Sequence, residues 1–167
     1  MQPRIISIPS KKLIGLKLRM SAINDRTVEL WQLFMPERNE ITEAANKFLY
    51  SVQVFDSEKY FDWFSPEIEF DKWAAVEVLE FNKPPKGMET LVISEGLYAV
   101  FDYKGPANAA LSFFQYIFET WIPSSEFAVD NRPHFALMGE KYRGNSPDSE
   151  EEIWVPVKPK QTRNSQE

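Results

Sequence analysis

Glu152-Ile153-Trp154-Val155-Pro156-Val157 carries the most suggestive chemistry in this sequence, because an acidic residue enters a strand that is otherwise apolar. Residues two apart on a strand share a face, so Glu152 and Trp154 stand side by side. A carboxylate beside an indole on a covered face can hold an organic cation by charge and by contact with the ring. The alternative is that the acidic run from Asp148 to Glu152 is a solvated approach to the strand. Glu77, inside Trp73-Ala74-Ala75-Val76-Glu77-Val78, offers a second carboxylate in an apolar strand, and it could equally pair across strands at the surface.

Other site chemistries have few residues to draw on. There is no Cys, which excludes disulfides, thiol nucleophiles and Cys-ligated metals. The single His, His134, rules out a multi-His metal site, and no Gly-x-Ser-x-Gly elbow accompanies it. No metal and no cofactor is implied.

The elements that must position the acids are legible from periodicity. Leu16 to Met20 alternates apolar and polar as a half-buried strand does. Asn24 and Asp25 offer a helix cap before Val28, Trp31 and Phe34 or Met35 at helical spacing, and Pro36 marks the end. Leu49 to Phe55 and Trp73 to Phe81 read as strands, and Asn82 to Gly87 is a break. Thr90 to Tyr103 reads as strand, turn, strand. A helix follows from Pro106 to Pro123, with Ala110, Phe114, Ile117 and Trp121 as its apolar stripe and Glu119 as its one charge. His134 to Gly139 and Glu152 to Lys158 supply two more strands.

The order repeats as strand, helix ending aromatic-x-Pro, strand, strand, with Phe34-Met35-Pro36 answering Trp121-Ile122-Pro123. A duplicated β-α-β-β unit in an α+β fold is expected, with pseudo-repeats at about 1–82 and 87–160 and a disordered tail at 161–167. The two units would join in an antiparallel curved sheet carrying two main helices on one face and a ligand groove between them. Trp31, Phe34, Phe118 and Trp121 on the helices could wall that groove or pack as core, and Trp73 has the same two readings. Trp63, in Tyr-Phe-Asp-Trp-Phe, fits no element.

Composition narrows the partners. With 167 residues, 43% hydrophobic and 26% charged, one soluble globular domain is expected. The 14% aromatic content demands a dense core or a pocket, and a net charge of −6 argues against a protein that coats phosphate backbones. The N-terminus lacks a long apolar run, and the longest uncharged stretch, Pro106 to Phe118, is too short to span a bilayer. A cytoplasmic protein that binds no membrane is expected.

Six segments occur in the order found in a known family: Lys11-Lys12-Leu13-Ile14-Gly15-Leu16, Trp73 to Val78, Gly87-Met88-Glu89-Thr90-Leu91-Val92-Ile93, Gly96-Leu97-Tyr98-Ala99-Val100-Phe101-Asp102-Tyr103-Lys104-Gly105, Trp121-Ile122-Pro123-Ser124-Ser125 and Glu152 to Val157. Over roughly Leu13 to Lys158 the chain resembles the gyrase-inhibitor-like (GyrI-like) small-molecule-binding domain, also the effector-binding domain of some AraC-type and MerR-type regulators. The resemblance implies the duplicated fold, an aromatic pocket between the helices, and a buried carboxylate that meets cationic or polar aromatic ligands. It puts that carboxylate at Glu152, with Trp154 beside it and Tyr98 as the family's strand tyrosine.

The resemblance leads to a stand-alone binder of a small organic ligand, with Glu152, Trp154, Tyr98, Trp121, Phe118, Trp31, Phe34, Trp73 and Glu77 as candidate contacts. No residues remain for a helix-turn-helix, so direct nucleic-acid binding is not expected. Two alternatives stay open. One is a hydrolase that opens strained or electrophilic rings of toxic natural products with Glu152 as general acid or base. The other is an inhibitor of a gyrase-like protein partner.

Overall fold

The computed structural model describes residues 2–57 and 65–161, so Trp63 and nearly all of the expected tail lie outside the described residues. Among the described residues there are nine strands: β1 (Arg4–Ile8), β2 (Lys11–Ser21), β3 (Leu49–Phe55), β4 (Glu69–Val78), β5 (Glu89–Ile93), β6 (Gly96–Lys104), β7 (Phe127–Val129), β8 (His134–Met138) and β9 (Glu150–Pro159). Helix α1 (Thr27–Phe34) passes into a 3₁₀ turn (Met35–Glu40). Helix α2 (Leu111–Gln115) continues through a π-helical turn (Tyr116–Trp121) into the short α3 (Ile122–Ser124).

The main path of the sheet is β1-β6-β9-β8-β3-β4-β2-β5, with β7 paired to β9. Every pairing is antiparallel, and the order is symmetric about the β3–β8 contact. Each unit contributes strand, helix, strand, strand. Each also sends its leading strand to the far unit, since β1 pairs with β6 and β5 pairs with β2.

That exchange bends the sheet. In a flat sheet β1 and β2 would lie six strand spacings apart, roughly 29 Å. Only Pro9 and Ser10 join them, and such a link spans roughly 10 Å at most. The edges therefore curl toward each other into a curved, unclosed sheet.

Strand alternation then sorts the core onto two faces. Inside the curve Leu13, Tyr50, Val52, Trp73, Ala75, Ile93, Tyr98, Val100 and Phe135 form one buried cluster, which includes residues from strands at both edges. Outside it, α1 seats Leu30 and Phe34 on Ile14, Met20, Ala74 and Val76. The α2 segment seats Ile117 and Trp121 on Phe101, Ile153 and Val155. Leu30, Phe34 and Ile117 are fully buried, each worth about 1.5–3 kcal/mol against exposure.

The helices differ locally from their expected ends. Pro36 sits inside the 3₁₀ turn, where its fixed φ suits the second position. Asp25 does not cap α1 through the usual position. Its Oδ1 accepts from the backbone N–H of Thr27 at 2.9 Å, one residue into the helix start. The continuous helix expected up to Pro123 is interrupted by the π turn, which shifts the register between Gln115 and Ile122. Strands β1 and β7 were not expected.

Gly15 is the tight point between β2 and β4. A Cβ there would lie 2.0 Å from the Ala74 carbonyl oxygen and 2.7 Å from the Ala75 Cα, both backbone atoms with nowhere to move. Gly15→Val should therefore destabilise the fold by about 3 kcal/mol, read as a lower urea midpoint. An unchanged midpoint would mean that the two strands do not approach this closely.

Candidate functional site

The interior face of the sheet brings two carboxylates to one end of an aromatic floor. Trp154 stacks on Phe135 at 5.1 Å and 16°, Phe135 meets Tyr98 at 5.3 Å, and Tyr50 meets Phe135 at 5.5 Å. Cross-strand register places Glu152 beside Leu137, and Leu137 beside Tyr50. Glu152 therefore lies two strand spacings, about 10 Å, from Tyr50. The Tyr50 hydroxyl donates to Glu77 Oε1 at 2.9 Å, and Asn46 Nδ2 and Lys11 Nζ reach the same oxygen at 3.0 and 3.4 Å. Glu152 accepts from Arg4 Nη2 at 2.7 Å and from Trp154 Nε1 at 3.3 Å. Their side chains keep 17% and 33% exposure respectively, so both carboxylates rim the floor rather than sink into it. Burial and the charges of Glu77 and Glu152 push the Tyr50 phenol up, which keeps it a neutral donor.

The opposite end is sealed. Arg132 lies over the Tyr98 ring, 4.7 Å from its centroid, and donates to the carbonyls of Leu97 and Val157 while Asp130 holds its Nε at 2.6 Å. The Tyr98 hydroxyl donates to the Pro133 carbonyl at 2.8 Å. Gly96 stands there at φ 145°, a backbone conformation that other residues rarely adopt, and a Cβ would also press on the Arg132 guanidinium. At the other end the side chains of Glu77 and Glu152 stay partly exposed.

A second concavity lies on the outer face. Between the start of α1 and the α2 segment is a cavity of about 430 Å³, floored by Gln53, Phe55, Phe70 and Lys72 and walled by Asp25, Thr27, Leu111, Phe114, Phe118 and Glu119. Lys72, half-buried, lines this cavity. Its Nζ donates to Thr27 Oγ1 at 3.0 Å, and burial pulls the amine down against the raising influence of Asp25 and Glu151. Glu151, on the outer face of β9, is pushed up by burial and drawn back by Lys72.

The nine candidate residues thus separate. Glu152, Trp154, Tyr98, Trp73 and Glu77 share the interior face, with Tyr98 and Trp73 buried as floor. Phe118 lines the outer cavity. Trp121 packs edge-on against Phe101 at 5.3 Å, and Trp31 edge-on against Phe34 at 5.8 Å, as parts of the two helix cores. A single groove that joins helix aromatics to Glu152 does not form, because the sheet stands between them. Tyr50, Phe135 and Lys72 complete the two concavities and were not expected. Tyr50 was visible in the alternation Tyr50, Val52, Val54. Lys72 was visible as the one charge in Phe70, Lys72, Ala74, Val76.

Residues 1–158 match the family model of the GyrI-like small-molecule-binding domain. Among curated proteins no sequence match is found. Solved structures share the fold. SAV2435 bound to tetraphenylphosphonium matches with a TM-score of 0.66 at 17% identity, covering 95% of this chain and 94% of that one. The EcmrR C-terminal domain gives 0.71 at 14%, covering 95% and 98%. A hydrolase from Listeria innocua gives 0.60 at 12%, covering 94% and 92%.

His134 lies beneath the cavity's aromatics, 5.1 Å from the Phe55 ring and 6.0 Å from Phe118, and is 6% exposed. Burial, with a smaller push from Arg132, pulls its pKa down to about 3. The unfolded chain then binds one proton more than the folded one between about pH 6.5 and 3. Stability should therefore fall on acidification through that window, with a contribution approaching roughly 1.4 kcal/mol per pH unit. Urea midpoints from pH 7 to 5 should drop more steeply in the wild type than in His134→Gln. Parallel curves would show that His134 is not buried neutral.

Proposed function

The chain belongs to the GyrI-like small-molecule-binding domain family, and from that premise we propose that its ligand is an organic cation with a flat apolar body. The ligand would seat at the open end of the interior face, between Glu77 and Glu152. One observation carries this reading: two carboxylates flank an aromatic floor whose far end is closed by Arg132. A ring lying on Trp154 and Leu137 would place its positive centre between the acids, where charge and ring contacts act together. Arg4 and Lys11 already touch these carboxylates, so a ligand cation would share them rather than find them bare. The local balance still favours a cation, since among the described residues the three acids Glu77, Glu152 and Asp102 form ion pairs with two bases, Lys11 and Arg4. That SAV2435 is found with tetraphenylphosphonium, a cation carrying phenyl rings, supports the same ligand class.

Hydrolysis is the second reading, supported by the Listeria hydrolase of the same fold. It needs a carboxylic acid placed to give up a proton. Glu77 Oε1 instead faces three donors, and Glu152 Oε2 faces a guanidinium, so both groups are arranged as acceptors. This arrangement favours binding over acid catalysis.

Calorimetric titration with tetraphenylphosphonium and with neutral triphenylphosphine oxide tests the reading. Glu77→Gln and Glu152→Gln should each weaken the cation by about 1–3 kcal/mol and leave the neutral compound nearly unchanged. Trp154→Ala should weaken both. Cation affinity that survives in both Gln variants would move the site elsewhere, and recovery of an electrophilic ligand with water added would favour hydrolysis.

A further inference from the structure

Lys72 sits in the outer cavity in a way that ion pairing does not explain. A buried structural lysine is normally matched by a carboxylate in contact. Here the amine donates to the Thr27 hydroxyl at 3.0 Å, and that hydroxyl donates to Asp25 Oδ1 at 2.5 Å. Asp25 is exposed and is fixed by the Thr27 backbone N–H. A chain of amine, hydroxyl and carboxylate thus runs from the cavity floor to the surface. Phe55, Phe70, Phe114 and Phe118 give the cavity its aromatic lining, beside polar groups such as Gln53, Gln115 and Glu119, and its volume of about 430 Å³ suits a small aromatic molecule.

We propose that Lys72 is a nucleophilic amine that captures aldehydes or ketones with an aromatic or apolar body in this cavity, as an imine. The nitrogen lone pair forms the C–N bond while the carbonyl π pair moves to oxygen. One proton passes from nitrogen along Thr27 to Asp25 while water protonates the alkoxide, giving a carbinolamine. A second proton from solvent reaches that hydroxyl, and the nitrogen lone pair expels it as water to form a protonated C=N bond. The proton this nitrogen then loses returns to solvent along Thr27 and Asp25, so that the two protons lost by nitrogen balance the two gained by oxygen. No oxidant or reductant is consumed, and hydrolysis reverses the capture.

The reaction needs a neutral amine, and burial of Lys72 favours that form. The groups that face it are Asp25 and Thr27 at the start of α1, Glu119 on the π turn and Glu151 on β9, with His134 on the neighbouring β8. The acids oppose the effect of burial, so the amine is tuned between two influences. Thr27 is a positioning residue, because it acts through Lys72. The cavity lies across the sheet from Glu77 and Glu152, so the inference stands or falls separately from the cation site.

The test uses the full chain with 2-naphthaldehyde and sodium cyanoborohydride near neutral pH, followed by intact mass and peptide mapping. A single reduced adduct on Lys72 is expected, formed about tenfold or more faster than on surface lysines such as Lys104, because burial favours its neutral, nucleophilic amine. Lys72→Arg should remove the adduct and keep tetraphenylphosphonium binding unchanged. Thr27→Val, which leaves the amine in place, should slow labelling by about a hundredfold and shift its pH profile. That variant decides the matter if Lys72→Arg fails to fold. Label spread over surface lysines with Lys72 unmodified, or labelling indifferent to Thr27→Val at every pH, would overturn the proposal. Protection of the cavity by 2-naphthoate without aldehyde labelling would overturn it too, since it would make Lys72 a charged anion contact.

Discussion

Two leading strands cross to the opposite unit on links of two residues, and the rest of the structure depends on that constraint. Pro9-Ser10 and Ser94-Glu95 are too short to reach across a flat sheet. The sheet must curl, and the curl turns two equivalent faces into an inside and an outside. Gly15 against Ala75 shows what the bend requires, because the backbones approach where any side chain on β2 would collide. Arg132 closes one end of the inside by holding carbonyls on β6 and β9 at once. The ligand-facing geometry is therefore a product of connectivity before it is a product of any single side chain.

Inside and outside then acquire different chemistries from the same strands. The inner face fills itself with its own rings and carries charged groups toward its margins, with Lys17 over the Trp73 ring, Arg19 against Asp71, and Glu77 and Glu152 beside Lys11 and Arg4. The outer face receives two helices that touch the sheet at its flanks, through Leu30 and Phe34 on one side and Ile117 and Trp121 on the other. The strip between them is left to Gln53, Phe55, Phe70 and Lys72. The π turn matters here: with its register shift, Ile117 and Trp121 enter the core while Phe118 and Glu119 line the cavity. An acid-rimmed site and an amine-floored one can coexist because a sheet separates them.

Most of this was legible as alternation and much less of it as depth. Leu49 to Phe55 gave β3 at its full extent, and Glu152 with Trp154 do share a face beside Tyr98 and Trp73. Alternation states which residues share a face, but not which face is concave. That depends on the pairing of β1 with β6, a contact between residues far apart in sequence that no local pattern encodes. This is why the helix aromatics and Glu152 were expected in one groove. Strand β1 was missed for a related reason, since Arg4–Ile8 is short and half exposed, and the strand it pairs with, β6, lies far away in the sequence. The π turn has no periodic signature that a helical stripe of Ala110, Phe114, Ile117 and Trp121 would betray.

The acidic run that opens β9 shows how fine the remaining distinction is. Glu151 and Glu152 are adjacent, so the pleat sends them to opposite sides of the sheet. Glu152 meets Arg4 and the Trp154 indole on the inside, whereas Glu151 lies on the outside, half-buried opposite Tyr103 and within electrostatic reach of Lys72. A slip of one residue in the β6–β9 register would exchange their surroundings and also drive Trp154 into the α2 core. The Trp154–Phe135 stack and the fully buried alternation of Val155 and Val157 against that core oppose such a slip. The packing that stabilises β9 is thus also what decides which of two neighbouring carboxylates meets Arg4 on the inside and which one lies within electrostatic reach of Lys72 on the outside.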